Sequence, residues 1–178
     1  EGVRYKEPKL KIMGVEAVKS STPAACREKI KEALTIIMTK DNQELNSFIQ
    51  DFRKDFMDLK PELIAYPRSV NGLNKWTESH NLFKKGAPIH CKGAILYNHL
   101  LQDKKLQGKY PYIQEGDKIK FLHMKTPNVY QSTSISFMTK LPNELNLHNF
   151  IDYDMQFEKS FVEPLKFITN IIKWQIDD

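Results

Sequence analysis

The sequence predicts a mainly α chain with a small antiparallel β insertion (α+β), in which a helical hairpin packs on a long C-terminal helix. Two apolar series, Cys26 to Ile37 and Leu45 to Leu59, repeat at three- and four-residue steps and are separated by a few polar residues. A third series with the same step runs from Leu147 to Ile172. Between them, Lys118–His123 and Ser134–Phe137 alternate with period two, the mark of a small antiparallel β element.

Residues 1–19 show no helical period and read as an extended connector, with a short strand at Lys9–Met13 closed by Gly14. Thr22 is placed to cap the first helix, and Pro23 suits the first helical position, where a missing N–H costs nothing. Cys26, Ile30, Ala33, Leu34 and Ile37 carry that helix to about Thr39. Asp41-Asn42-Gln43-Glu44 resembles a capping box and opens the second helix, whose stripe of Leu45, Phe48, Ile49, Phe52, Phe56 and Leu59 runs until Pro61. So short a connection makes the pair an antiparallel hairpin with facing apolar stripes.

Leu63–Pro67 has the composition of a short strand. From Arg68 to Gly93 the period disappears, and a long irregular loop is expected, held in place by Trp76, Phe83 and Ile89. A helix follows from Ala94 to about Leu106. Turns at Glu115-Gly116-Asp117 and Thr126-Pro127-Asn128 bound the β element. The terminal helix is expected from Leu147 onward, bent near Pro164, with its aromatic side covering the first hairpin.

At 178 residues, with 40% hydrophobic and 28% charged residues, the chain has material for one soluble domain. No apolar run approaches the ~18 residues of a membrane span, and no secretory signal pattern is present. Cys26 and Cys91 lie far apart without metal-ligand spacing, which argues against a disulfide framework or a zinc site and fits a reducing compartment. The formal net charge of +5 permits a polyanionic partner. Its distribution is more telling. Between Lys60 and Lys125 the bases (Arg68, Lys75, Lys84, Lys85, Lys92, Lys104, Lys105, Lys109, Lys118 and Lys120 among them) outnumber Glu62, Glu78, Asp103, Glu115 and Asp117. After Leu141 acids predominate. Such asymmetry favours one binding face.

Signals for catalysis are poor. No zinc-protease, nucleophile-elbow, dinucleotide or Walker pattern occurs. His80, His90, His99, His123 and His148 lack ligand spacing, and a catalytic Cys91–His90 pair is disfavoured because chain neighbours rarely face each other productively. Asp152-Tyr153-Asp154 imitates the metal-binding pair of polymerases, but residues two apart on a helix point in different directions. An acidic, solvated helix start is the expected reading there. Asp51, Asp55 and Asp58 read as the outer face of the second helix.

Phosphate recognition has better support, because it needs ammonium groups, hydroxyls and free N–H groups together. Lys19, Ser20, Ser21 and Thr22 supply one such set at a helix entry. Arg68, Ser69, Asn71 and Lys75, with His90 and Lys92, supply a second. A plain capped helix and a solvated lysine loop account for much of the same pattern, and local chemistry leaves both readings open.

Larger words in the sequence go further. Arg4-Tyr5, Glu7 through Gly14 (Glu-Pro-Lys-Leu-Lys-Ile-Met-Gly) and Lys19-Ser20-Ser21-Thr22-Pro23 closely resemble the junction of palm and thumb in family B DNA polymerases of T-even-type bacteriophages. The resemblance continues through Ser69-Val70-Asn71 with Lys75, and Ile89 through Gly93 leading to Tyr97-Asn98. It ends at Glu158-Lys159-Ser160-Phe161 and Pro164-Leu165. It covers nearly the whole chain in order, with only a loose match in the β region.

That resemblance implies a palm-to-thumb connector at 1–19 and a thumb domain at 20–178, with an irregular and β tip at roughly 63–140. In this family the thumb closes over the minor-groove side of the primer–template duplex and holds it by its backbone, without base specificity. The implied DNA-binding residues are Lys19, Ser20, Ser21, Thr22, Arg68, Ser69, Asn71, Lys75, His90 and Lys92. No catalytic residue and no cofactor is implied for this segment, since the catalytic aspartates with their magnesium belong to the palm and the proofreading carboxylates to the exonuclease domain. Implied partners are double-stranded primer–template DNA and the palm and exonuclease polypeptide, with no membrane, in the cytoplasm of the infected bacterial host. The sliding clamp is a further implied partner through an aromatic tail that relatives often carry, whereas this chain stops at Ile176-Asp177-Asp178. The lysine-rich motif ending the palm is likewise missing. With Glu1 as its first residue, the chain is expected to be a cut piece or one product of a divided polymerase gene. In the latter case its main role would be docking the palm polypeptide.

Overall fold

The computed structural model describes residues 17–78 and 81–177. The expected connector and the strand at Lys9–Met13 lie outside these residues, apart from the connector's last three positions. The chain divides into two units, one formed by the segments up to Ile64 and from Tyr153 onward, the other by Ala65–Asp152. Helices predominate, and the single sheet among the described residues has three antiparallel strands. The chain is therefore α+β.

In the first unit, helix α1 spans Ala24–Thr39 and buries Cys26, Ile30, Ala33 and Ile37. Helix α2 spans Asn42–Phe56, and its N-cap Asp41 accepts from the Glu44 N–H at 2.9 Å. The N-cap half of the expected box forms there, with no reciprocal Glu44 bond among the described residues, and the cap expected at α1 fails. Pro23 occupies the N-cap position of α1 and no side chain caps that helix among the described residues. Thr22 sits one residue too early to reach the first-turn amides. Its hydroxyl accepts from the Lys19 N–H at 2.8 Å, closing a turn in which the Thr22 N–H also donates to the Lys19 carbonyl.

Helix α2 ends at Phe56, short of Leu59, and Pro61 opens a short helix α3, Pro61–Ile64. Pro61 fits there because the first turn of a helix does not use its N–H. The terminal helix begins at Tyr153 instead of Leu147. Leu147 lies between two 3₁₀ turns, Asn143–Leu145 and His148–Phe150, after Asn146 adopts a left-handed φ of +55° that no α-helix accommodates. The terminal helix runs as α6, Tyr153–Phe157, then one π-helical turn, Glu158–Val162, then α7, Glu163–Ile171. Pro164 accounts for the widened turn, since it has no N–H to close an α-type bond onto the carbonyl four residues back.

The aromatic side of this terminal helix covers α2 as expected. Phe52 lies edge-on to Phe161 at 4.8 Å and to Phe157 at 5.6 Å, and Phe56 meets Phe157 at 5.1 Å. The Arg53 guanidinium stands 4.6 Å from the Phe157 ring centre. The Tyr153 hydroxyl donates to the Leu59 carbonyl and Gln156 Nε2 to that of Ile64, both at 2.7 Å. Asp154 is exposed in the first turn of α6, and Asp51, Asp55 and Asp58 are exposed as expected.

The second unit is built on strands β1 (Tyr66–Ser69), β2 (Lys118–His123) and β3 (Ser134–Phe137), in that order, with β2 central. The expected strand at Leu63–Pro67 is displaced toward β1 because Pro61 starts a helical turn first. The stretch expected to be irregular is largely ordered. It holds the short helix α4, Leu73–Trp76, a bridge between Thr77 and Phe83, and the first turn of helix α5, Ile89–Asp103. Gly93 suggests a break to a sequence reader, yet it lies inside α5. A Cβ at this position would meet Ser136 N at 2.7 Å and Ile135 C at 2.8 Å, so glycine is what lets the helix backbone rest on β3. The Ser136 hydroxyl donates to the His90 carbonyl at 2.9 Å and that of Ser134 to the Ile89 carbonyl, fastening α5 to the strand.

Candidate nucleic-acid interface

The first candidate set, in the helical unit, is the turn before α1. Lys19 and Ser20 are exposed, Ser21 is half-buried and Thr22 is buried with its hydroxyl engaged. Arg27, one turn into α1, donates to the Lys19 carbonyl at 2.7 Å. Sequence spacing does not reveal Arg27 as a member of this set, because its link to Lys19 depends on how the chain turns at Thr22. With no side chain capping α1 among the described residues, the set combines the cations Lys19 and Arg27, the hydroxyls of Ser20 and Ser21, and a helix N-terminus.

The second set lies in the sheet unit, where β1, α4 and α5 position it. Arg68 and Ser69 are exposed on the edge strand β1, paired with Ile119 and Lys118 respectively. The register thus brings Lys118 beside Ser69, an addition that period-two spacing alone does not supply. Past β1 the chain turns through Gly72 at φ +86°. Glu115 fixes this turn by accepting from the Gly72 N–H at 2.6 Å and the Leu73 N–H at 2.7 Å. It is the structural anchor of the set, and nothing local in the sequence signals a partner so distant in the chain. Asn71 is exposed, and its carbonyl accepts from the Cys91 thiol at 3.5 Å. Lys75 lies 4.9 Å from the Trp76 ring centre, and Lys92 lies 5.5 Å from that of Phe83. Each aromatic ring thus carries an ammonium on it, which orders the cation without neutralising it.

His90 is buried, 6.2 Å from the Phe121 ring centre. Burial first, and then the Arg68 charge, hold its pKa below the usual histidine value of 6.5. Burial likewise raises the Cys91 thiol, with Glu115 adding to the rise and Arg68 opposing it. Arg68, Asn71, His90, Cys91 and Glu115 therefore share one neighbourhood, whereas Lys75 and Lys92 belong to the aromatic pairs beside it. The neutral His90 offers a ring nitrogen and no positive charge.

A pH dependence follows. As pH falls below about 6.5, the unfolded chain takes up a proton at this histidine that the folded chain does not, so stability is lost on acidification. Thermal melts between about pH 7.5 and about pH 5 are expected to show a falling midpoint. His90→Gln should flatten that fall; an unchanged profile would remove His90 as its source.

A groove of about 1000 Å³ in the sheet unit shares Leu73 and Glu115 with the turn that carries Lys75, but none of the cations lines it. Its walls include Asn74, Asn98, Gln102, Gln114, Glu78 and Glu115, and no lysine or arginine among the described residues. It is unsuited to a phosphate. No cluster of metal-ligating side chains occurs among the described residues, and no helix there is long and apolar enough to cross a membrane.

No family model matches the chain. It is 30% identical to the DNA-directed DNA polymerase of Enterobacteria phage T4 over 169 residues, covering 93% of the chain and 18% of that polymerase. It is 32% identical to the DNA-directed DNA polymerase of Escherichia phage RB69 over 178 residues, covering 97% of the chain and 19% of that polymerase. The chain spans less than a fifth of the length of these relatives. It is homologous to a segment of the DNA polymerases of these two phages.

Proposed function

We propose that the chain is the thumb of a replicative family B viral DNA polymerase, which grips the primer–template duplex by its backbone without reading bases and performs no chemistry itself. The single observation that carries this reading is the similarity to two phage DNA polymerases along 93% and 97% of the chain. Lys19, Ser20 and Ser21, beside the entry to α1, hold one stretch of phosphates. Arg68, Ser69, Asn71, Lys75 and Lys92 hold another, with Thr22 and His90 supporting these sets from buried positions. Cations propped on Trp76 and Phe83 suit a non-specific grip, since they present charge while having little rotamer freedom to lose. Catalytic carboxylates and magnesium belong, in this reading, to the palm, and the palm and exonuclease polypeptide is the protein partner.

The test measures duplex binding by fluorescence anisotropy across a salt series. The parent is expected to show log K falling linearly with log salt. The variant carrying Lys19→Glu, Lys75→Glu and Lys92→Glu should bind at least tenfold more weakly, its slope shallower by about 0.9 for each phosphate that is no longer neutralised. Changing the duplex sequence should leave the affinity unaltered. A variant that keeps the parent's affinity and slope would falsify the assignment of these residues.

A further inference from the structure

One face of α2 carries amide side chains at four-residue intervals, Asn42, Asn46 and Gln50, and the described chain after α7 lies along them. Lys173 takes a left-handed φ of +61°, and the Trp174 N–H donates back to the Thr169 carbonyl at 2.9 Å, so the chain turns sharply as the helix ends. The residues beyond are read by the amides. Asn42 makes a two-way pairing with Gln175: its Nδ2 donates to the Gln175 carbonyl at 2.7 Å and its Oδ1 accepts from the Gln175 N–H at 3.0 Å. Asn46 spans to the next rung, donating to the Gln175 carbonyl at 2.9 Å and accepting from the Asp177 N–H at 2.8 Å. Gln50 Nε2 donates to the Asp177 carbonyl at 3.4 Å.

Every one of these bonds engages main-chain atoms of alternate residues, 175 and 177, which is one edge of an extended strand. The geometry matches for a simple reason. Four residues of α-helix rise about 6.0 Å, and two residues of strand advance about 6.7 Å. Amides at i, i+4 and i+8 therefore stay in register with a strand for about three rungs before the mismatch accumulates. A cleft of about 540 Å³ runs along the same face, lined by Gln43, Ser47 and Asp51 as well. These bonds are solvent-exposed, so water can replace each one singly.

We propose that Asn42, Asn46 and Gln50 form a binding site for an extended polypeptide segment, read through its backbone and occupied here by residues 175–177 of this chain. A second extended backbone competes with that segment for the ladder. The pairing is β-augmentation with a helix face in place of a sheet edge.

Amide hydrogen exchange on the intact chain tests this. The Gln175 and Asp177 N–H groups are expected to exchange at least tenfold more slowly than that of Ile176, and to lose this protection in the double variant Asn42→Ala, Asn46→Ala. A synthetic peptide of residues 173–178 at millimolar concentration should remove the same protection. So should a peptide with alanine in place of Gln175 and Asp177. Protection that survives in the double variant overturns the ladder. Displacement by the native peptide alone overturns backbone reading, and displacement by neither overturns exchange.

Discussion

Replacing Phe52 by alanine is expected to lower the stability of the helical unit by about 4 kcal/mol. Phe52 is buried and sits at the centre of the aromatic cluster, with Phe56, Phe157 and Phe161 all within 5.7 Å between ring centres. Truncation removes the transfer energy of the ring, leaves a cavity that three stiff neighbours cannot collapse into, and deletes edge-to-face interactions worth a further fraction of a kcal/mol each. With a urea dependence of about 2 kcal/mol per molar, the unfolding midpoint should fall by about 2 M. Phe52→Leu, which nearly preserves volume, should cost under about 1.5 kcal/mol. Phe48 provides the contrast: it is half-buried, and among the described residues Phe161, at 6.4 Å, is the one aromatic ring it meets, so Phe48→Ala should cost clearly less than Phe52→Ala. Equal losses at Phe48 and Phe52 would show that the cluster is not centred as described.

Gly93→Ala is expected to destabilise the sheet unit by about 2 to 4 kcal/mol, against the intrinsic preference of the residue. Two effects oppose each other. Alanine favours a helix interior by about 1 kcal/mol over glycine. The added carbon, however, would stand 2.7 Å from Ser136 N and 2.8 Å from Ile135 C, both of them backbone atoms that cannot rotate away. Helix α5 must then retreat from β3, stretching the Ser134 and Ser136 hydroxyl bonds to the carbonyls of Ile89 and His90. Overpacking of about 1 to 3 kcal/mol plus about 1 kcal/mol per weakened bond exceeds the propensity gain. Urea unfolding of Gly93→Ala with and without Ser136→Ala identifies the colliding atoms. If removing the Ser136 hydroxyl restores full stability, the backbone clash is not the cause.

These two positions also show what a sequence reader can and cannot see. The stripe of Leu45, Ile49, Phe52 and Phe56 announces α2, because a buried helix face imposes its own period on the chain, and Asp41 announces where α2 begins. Alternation announces the start of β2 for the same reason, although Phe121, Leu122 and His123 at its end are all buried. Gly93 misleads, because its purpose is set by a strand more than 40 residues away. Leu147 and Phe150 keep a helical spacing without a helix, since Asn146 breaks the backbone while the Leu147 side chain still finds the core. Pro61 and Pro164 are each compatible with a stop, a start or a widened turn, and only neighbouring packing decides. Of the candidate site, the exposed lysines and hydroxyls are legible as types. Their supports are not: Glu115 beneath Gly72, Trp76 beneath Lys75 and Phe83 beneath Lys92 depend on turns whose geometry no spacing encodes.

The division of the chain has a consequence for the order in which it folds. The helical unit needs Phe157 and Phe161 to complete its core, so it cannot close until the last part of the chain has been synthesised. The sheet unit is continuous and can form first. Its two ends meet at one corner: the Tyr66 and His123 rings lie 5.9 Å apart, and the Asp152 N–H donates to the His123 carbonyl at 2.9 Å. A folded sheet unit therefore replaces a floppy loop of ~90 residues with a short bridge, lowering the closure entropy of the helical core by roughly 2.5 kcal/mol. On this view β1, β2 and β3 act during biogenesis as a splint, holding α2 and α6 within reach before their aromatic rings have met.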